Sequence, residues 1–228
     1  MKIVLLGPPG AGKGSVAAFI KEKYDLLHIS TGDILREEIR KESALATEIK
    51  SYIEKGALVP DEVITKMVDQ KLTKDLKPSQ GFMLDGYPRN QAQAQELDAI
   101  LKKINTELDC VLNMDASLPV ILSRISGRRI CKKCGAVYHL TNKPPKVKDI
   151  CDECSGPLYQ RSDDNEETIK NRMAVYNTST SPILEYYRKQ NKLISFDGDK
   201  KTDVIFAEFV KYINENKRFH QNQNVRRD

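Results

Sequence analysis

Short apolar runs alternate with longer stretches of helical period along this chain. Residues 3–6, 27–29, 82–84, 111–114 and 193–196 are the apolar runs, of strand length. Between them the pattern predicts helices at about 12–23, 61–72, 91–104, 118–125, 166–190 and 202–214. Pro60 ahead of Asp61 and Glu62 marks one helix start, because proline fits the first turn and carboxylates complement the helix dipole. The alternation predicts an α/β fold, a five-stranded parallel sheet with helices on both faces.

Two segments break the alternation and read as insertions. Residues 30–59 are helical throughout, where a single crossover would suffice. Residues 129–164 are rich in Cys, Pro, Gly and Lys, with β-like pieces such as Ala136-Val137-Tyr138. A chain of 228 residues has room for one large core plus such insertions, and its 39% hydrophobic and 30% charged content is ordinary for a globular protein. No apolar run approaches the roughly 20 residues that span a bilayer, and the N-terminus enters a strand without a signal peptide's basic start, so a cytoplasmic enzyme is expected. The net charge of +5 adds little, since Lys217, Arg218, Arg226 and Arg227 with Asp228 place +3 in the last twelve residues. Residues 217–228 read as a basic, disordered, solvated tail rather than an RNA-binding arm.

Gly7-Pro8-Pro9-Gly10-Ala11-Gly12-Lys13-Gly14-Ser15 follows the first strand and is a phosphate cradle. Glycine backbone curls its N–H groups around anionic oxygens, the following helix adds its positive end, and Lys13 supplies a point charge. The spacing satisfies Gly-x4-Gly-Lys, but Gly14 follows the lysine and the hydroxyl arrives one position late, at Ser15.

Cys131-Lys-Lys-Cys134 and Cys151-Asp-Glu-Cys154 are two Cys-x2-Cys knuckles with sixteen residues between them, zinc-ribbon spacing. Nested disulfides are the alternative, disfavoured in a cytosolic chain. Four thiolates close a tetrahedron with no open position, so the metal is structural; zinc is the default, and iron could enter the same cage. His139 lies near enough to be a fifth candidate, but the cysteines already suffice, and Cys110 reads as a small buried residue.

Other polar clusters sit where strands end, the place where open α/β sheets bind ligands. Asp85 closes the strand at 82–84 beside the phosphate loop, a position suited to holding Mg2+ through water, with Asp33 assisting. Arg36, Arg89, Arg124, Arg128, Arg161 and Arg172 flank these clusters, and so many guanidinium groups suggest two phosphorylated ligands facing each other.

With these motifs together, the chain resembles the adenylate kinases of the long-lid bacterial type, from residue 1 to about 214. The resemblance rests on Gly10 to Ser15 in that family's version of the loop, on Thr31-Gly32-Asp33, on Leu84-Asp85-Gly86-Tyr87-Pro88-Arg89 and on Gly127-Arg128-Arg129. It implies a P-loop nucleoside monophosphate kinase fold: a core of residues 1–29, 60–126 and 165–216, an AMP-binding insertion at 30–59 and a mobile zinc-binding lid at 127–164.

The resemblance also implies site residues. Gly10, Ala11, Gly12, Lys13, Gly14 and Ser15 would hold the ATP phosphates, and Arg124, Arg128, Val137, Tyr138 and the Lys200 backbone would border ATP. Thr31, Arg36, Ala57, Leu58 and Val59 would contact AMP, together with Gly86, Tyr87, Pro88, Arg89 and Gln93. Arg161 and Arg172 would close over the transferring group, so Lys13, Arg89, Arg128, Arg161 and Arg172 form the catalytic set. Ser15 where threonine is usual, Tyr87 where phenylalanine is usual, and Asn90-Gln91-Ala92 before Gln93 are conservative departures. The implied enzyme is a monomer that takes ATP and AMP to ADP with Mg2+, in adenine nucleotide homeostasis, without nucleic-acid or membrane partners. GTP:AMP and UMP/CMP kinases share much of the pattern; Thr31 favours AMP, since pyrimidine-nucleotide members tend to carry alanine there. A nucleic-acid-binding P-loop switch is a reading from another class, but basic residues interleaved with aromatics are nearly missing around the ribbon, where only Tyr138 and Tyr159 stand.

Overall fold

In the computed structural model, which describes residues 1–41 and 43–216, the chain runs β1 (Lys2–Leu6), α1 (Lys13–Lys23), β2 (Leu26–Ser30), α2 (Thr31–Ile39), α3 (Ala44–Glu54), α4 (Asp61–Lys74), β3 (Gly81–Asp85), α5 (Gln91–Lys103), β4 (Cys110–Asp115) and α6 (Leu118–Ser126). It continues through β5 (Arg128–Cys131), β6 (Val137–His139), β7 (Leu158–Tyr159), α7 (Glu166–Val175), α8 (Pro182–Lys189), β8 (Leu193–Asp197) and α9 (Thr202–Glu215). The tail predicted at 217–228 lies outside the described residues.

The five predicted strands form one parallel sheet in the order β2-β3-β1-β4-β8. Alternation along β1 builds a core on each face: Ile3 and Leu5 join Val16, Ile20 and Phe209 on one, Val4 and Leu6 join Leu84, Leu97 and Tyr187 on the other. First in sequence, β1 lies at the centre, so the loop leaving it opens between β3 and β4, with Leu5 opposite Asp85 and Leu6 opposite Asn113. This is a switch point of the strand order, where α/β sheets place their ligands.

The segment at 30–59 folds as α2 and α3, started by serines: Ser30 accepts from the Asp33 N–H at 3.3 Å and Ser43 from the Ala46 N–H at 3.1 Å. The cysteine-bearing segment folds as a three-stranded antiparallel sheet, β6-β5-β7, with a core cluster of only Cys131, Tyr138, Cys151 and Leu158.

One prediction is corrected. The single helix expected at 166–190 is α7, then a π-helical turn at Tyr176–Thr180, then α8. Pro182 has no N–H to continue the ladder, and the Ser181 N–H reaches back five residues to the Tyr176 carbonyl at 2.8 Å. The wide turn aims Thr180 inward, and its hydroxyl donates to the Arg89 carbonyl at 2.7 Å. Among the described residues, no helix is long and apolar enough to cross a membrane.

Candidate active site

The phosphate loop is shaped by close approach. Gly7 holds φ at 137°, and a Cβ there would stand 2.4 Å from the Met114 carbonyl oxygen, so β4 admits nothing larger. Gly12 is the N-cap of α1 at φ 99°, while at Gly14 a side chain would meet nothing within 4 Å. The Lys13 ammonium lies under the loop, donating to the carbonyls of Gly7 at 2.8 Å and Pro8 at 2.9 Å. Although the residue as a whole keeps some exposure, burial of the ammonium lowers its pKa to about 8; Asp85 opposes this, and the guanidinium groups of Arg89, Arg128 and Arg172 add to it. The Asp85 carboxylate has no hydrogen-bond or ion-pair partner among the described residues, whereas Asp33 is engaged by Arg36 at 2.5 Å. Burial pushes the Asp33 carboxyl up, but the Arg36 bond and charge, with Ser30 and Arg161, bring it below its ordinary value.

Opposite the loop, the ends of β2 and β3 are stitched together. The buried Thr31 hydroxyl donates to the Gly86 carbonyl at 2.9 Å, and Arg89 Nε donates to the same oxygen at 2.7 Å. Burial lowers the Arg89 pKa, as does nearby Arg172. The Tyr87–Pro88 peptide is cis. Tyr87 is buried, and its hydroxyl donates to the Gln93 carbonyl at 3.2 Å and lies 3.0 Å from the Thr65 hydroxyl. Gln93 is buried as well, and its Oε1 accepts from the Arg89 N–H at 2.7 Å. Ala57 and Leu58 are half-buried, and Val59 is buried in the core cluster beneath α2 and α4.

The remaining arginines are placed by partners that residue type alone does not reveal. Arg128 forks onto Asp164, with Nε donating to Oδ2 at 2.8 Å and Nη2 bonded to Oδ1; Arg172 pairs with Asp163. Both aspartates are buried and were missed in the sequence, where Arg161-Ser-Asp-Asp164 was the available signal. Arg161 feels both aspartates, yet its Nε is a buried donor without a hydrogen-bond partner among the described residues. Burial lowers its pKa to about 10, with Arg36 and Arg128 adding to the effect and Asp163 and Asp164 opposing it. Arg124 serves the backbone instead, donating to the carbonyls of Ala11 at 3.1 Å, Gly198 at 2.6 Å and Lys200 at 2.8 Å. The Lys200 carbonyl thus accepts one bond from Arg124 and keeps a second lone pair.

In the three-stranded sheet, Val137 is exposed while Tyr138 turns into the cysteines, its hydroxyl 3.4 Å from Cys151 Sγ and accepting from the Asp152 N–H at 2.8 Å. The four sulfurs of Cys131, Cys134, Cys151 and Cys154 lie within 4.8 Å of one another, and none is in a disulfide. All-thiolate donors at this spacing fit a tetrahedral metal. His139 is committed elsewhere: its Nδ1 accepts from the N–H groups of Thr141 and Asn142, which leaves Nε2 to donate to the Ser123 carbonyl at 3.1 Å. Cys110 is buried in β4.

Lys13, Arg36, Arg89, Arg128, Arg161 and Arg172 thus converge on one end of the sheet, where burial first and the neighbouring guanidinium groups second lower the pKa of Lys13, Arg89 and Arg161. Such a pocket is made for anions with several charges. A family model described as Adenylate kinase matches residues 5–192. The chain is 52% identical over 209 residues to the Adenylate kinase of Methanocella arvoryzae, with 91% of this chain and 96% of that protein covered. It is 48% identical over 211 residues to the Adenylate kinase of Thermoanaerobacter sp. (strain X514), covering 92% and 97%. Over 214 residues it is likewise 48% identical to the Adenylate kinase of Thermosipho melanesiensis, covering 93% and 99%.

Proposed function

We infer the function from one premise: the chain belongs to the adenylate kinase family and is a nucleoside monophosphate kinase. The reaction is reversible, Mg-ATP + AMP to 2 ADP. The observation that carries this at the level of the site is the set of six cations brought together from separate segments, with the Arg161 donor still open. A phosphate monoester is largely dianionic near pH 7, so no base has to activate the nucleophile. What the protein must do is hold two anions that repel each other.

Lys13 and the backbone of Gly10 to Ser15 hold the donor phosphates, and Arg124 fixes the loop against the β8–α9 turn. Thr31, Arg36, residues 57–59, Gly86 to Arg89 and Gln93 receive AMP. Arg128, Arg161 and Arg172 stabilise the charge on the moving group, Arg128 aimed by Asp164 and Arg172 by Asp163. Asp85, with Asp33, would hold Mg2+ through water, and the ion would supply charge neutralisation for the phosphates. The four cysteines would hold a structural zinc ion, and residues 127–164 would act as a lid that closes to exclude water. The enzyme works as a cytoplasmic monomer. A coupled assay tests the reading: ADP must form from ATP only when AMP is present, and AMP-independent hydrolysis would overturn it.

A further inference from the structure

Gln93 does not choose its own orientation. A side-chain amide can present its oxygen or its nitrogen at either position, and here both flanking partners dictate the same answer. The Arg89 N–H can only donate, and it meets Gln93 Oε1 at 2.7 Å; the Asp61 carboxylate accepts, and it meets Gln93 Nε2 at 2.7 Å. Asp61 is itself held. Asn90 donates Nδ2 to both of its oxygens, at 2.9 and 2.8 Å, and the Asn90 amide is oriented because its Oδ1 accepts from the Gln93 N–H at 2.9 Å. Read as a helix-start carboxylate, Asp61 acquires a second task from this closed ring.

We propose that Asp61 is a positioning residue for acceptor-base selection, fixing the Gln93 amide so that it accepts 6-aminopurine and rejects 6-oxopurine monophosphates. The inference rests on the AMP side proposed above, where Gln93 meets the base. With two of its valences taken, the amide has one N–H and one oxygen lone pair to offer. Adenine presents an acceptor at N1 and a donor at its 6-amino group, which match. A 6-oxopurine presents N1–H and a carbonyl, which would match only the flipped amide. Flipping would set the Gln93 oxygen against the Asp61 carboxylate and its NH2 against the Arg89 N–H, leaving buried groups unpaired.

The test compares kcat/KM for AMP and for IMP, which differ at the purine 6-position, in the unmutated protein, Asp61→Asn and Asp61→Ser. Either variant supplies a group that can donate to a reoriented Gln93 and so removes one of the two penalties on the flip, while the Arg89 N–H keeps the other, so the AMP-to-IMP ratio should fall about fivefold. A purely structural loss would lower both substrates together, so a ratio within about twofold of the unmutated value in a folded variant overturns the proposal, as does an unmutated enzyme indifferent to AMP and IMP. If the variants fail to fold, the unmutated protein still decides: the Gln93 side-chain amide proton must exchange slowly with solvent, and free exchange overturns the lock. Absence of AMP-dependent ADP formation in the unmutated protein would instead sink the functional reading.

Discussion

The parallel sheet and the cysteine-bearing sheet solve the same problem with different means. The first buries apolar residues on both faces, with Ile3, Val4, Leu5, Phe82, Val111 and Phe209 fully inaccessible. The second has a core cluster of four buried residues, two of them cysteines, while Leu140, Val147 and Ile150 stay exposed. A segment this small cannot bury enough apolar surface to hold its shape, and in the proposed reading four thiolates around a metal would replace the missing core. The phosphate loop leaves the large sheet, whereas Arg128 and Arg161 belong to the segment that carries the cysteines.

Removing chemistry without touching either core should have the largest effect. Lys13→Ala is expected to lower turnover at least about a thousandfold in the coupled assay, with the protein still folded. A fall in stability of similar weight would mean that the loop is part of the core after all. Next is Phe209→Ala, which opens a cavity in the sheet's core and should cost about 3–5 kcal/mol in denaturant unfolding, read across the whole molecule. Leu158→Ala in the small sheet should leave that global value nearly untouched. Cys151→Ser, or chelation, should remove metal from the purified protein and speed hydrogen exchange at 127–164 by about a hundredfold, with much less change in β1 and β4. Equal loss in both regions, or no metal to remove, would erase the contrast.

The smallest expected effect is on pH. Lys13 binds its proton less tightly in the folded protein, at about 8, than in the unfolded chain. From about pH 8 up to the ordinary lysine value, the unfolded state therefore carries more proton, and stability of the free protein should rise with pH. Lys13→Met should flatten that rise; an unchanged slope would place the lysine in a less buried setting than its carbonyl contacts indicate.

Much of this was legible in local pattern. The five strands, the glycine loop and the paired Cys-x2-Cys knuckles are recorded in spacings of a few residues, because backbone geometry and metal coordination act at that range. The helix expected at 166–190 failed where Pro182 withdrew a donor, although the consequence, Thr180 against Arg89, depends on a contact 91 positions away.

What the sequence determined by itself is therefore the kind of chemistry and the family that performs it: a phosphate cradle, a Mg2+-suited aspartate, an excess of arginines and a four-thiolate staple. Only the tertiary structure decided how each group is employed: that Asp163 and Asp164 aim two arginines, that Arg124 serves backbone carbonyls, and that Asp61 dictates the face of Gln93. The reason is physical. A buried charge or amide takes its orientation from whatever donor or acceptor is desolvated beside it, and these partners meet only once the sheet has brought distant segments together.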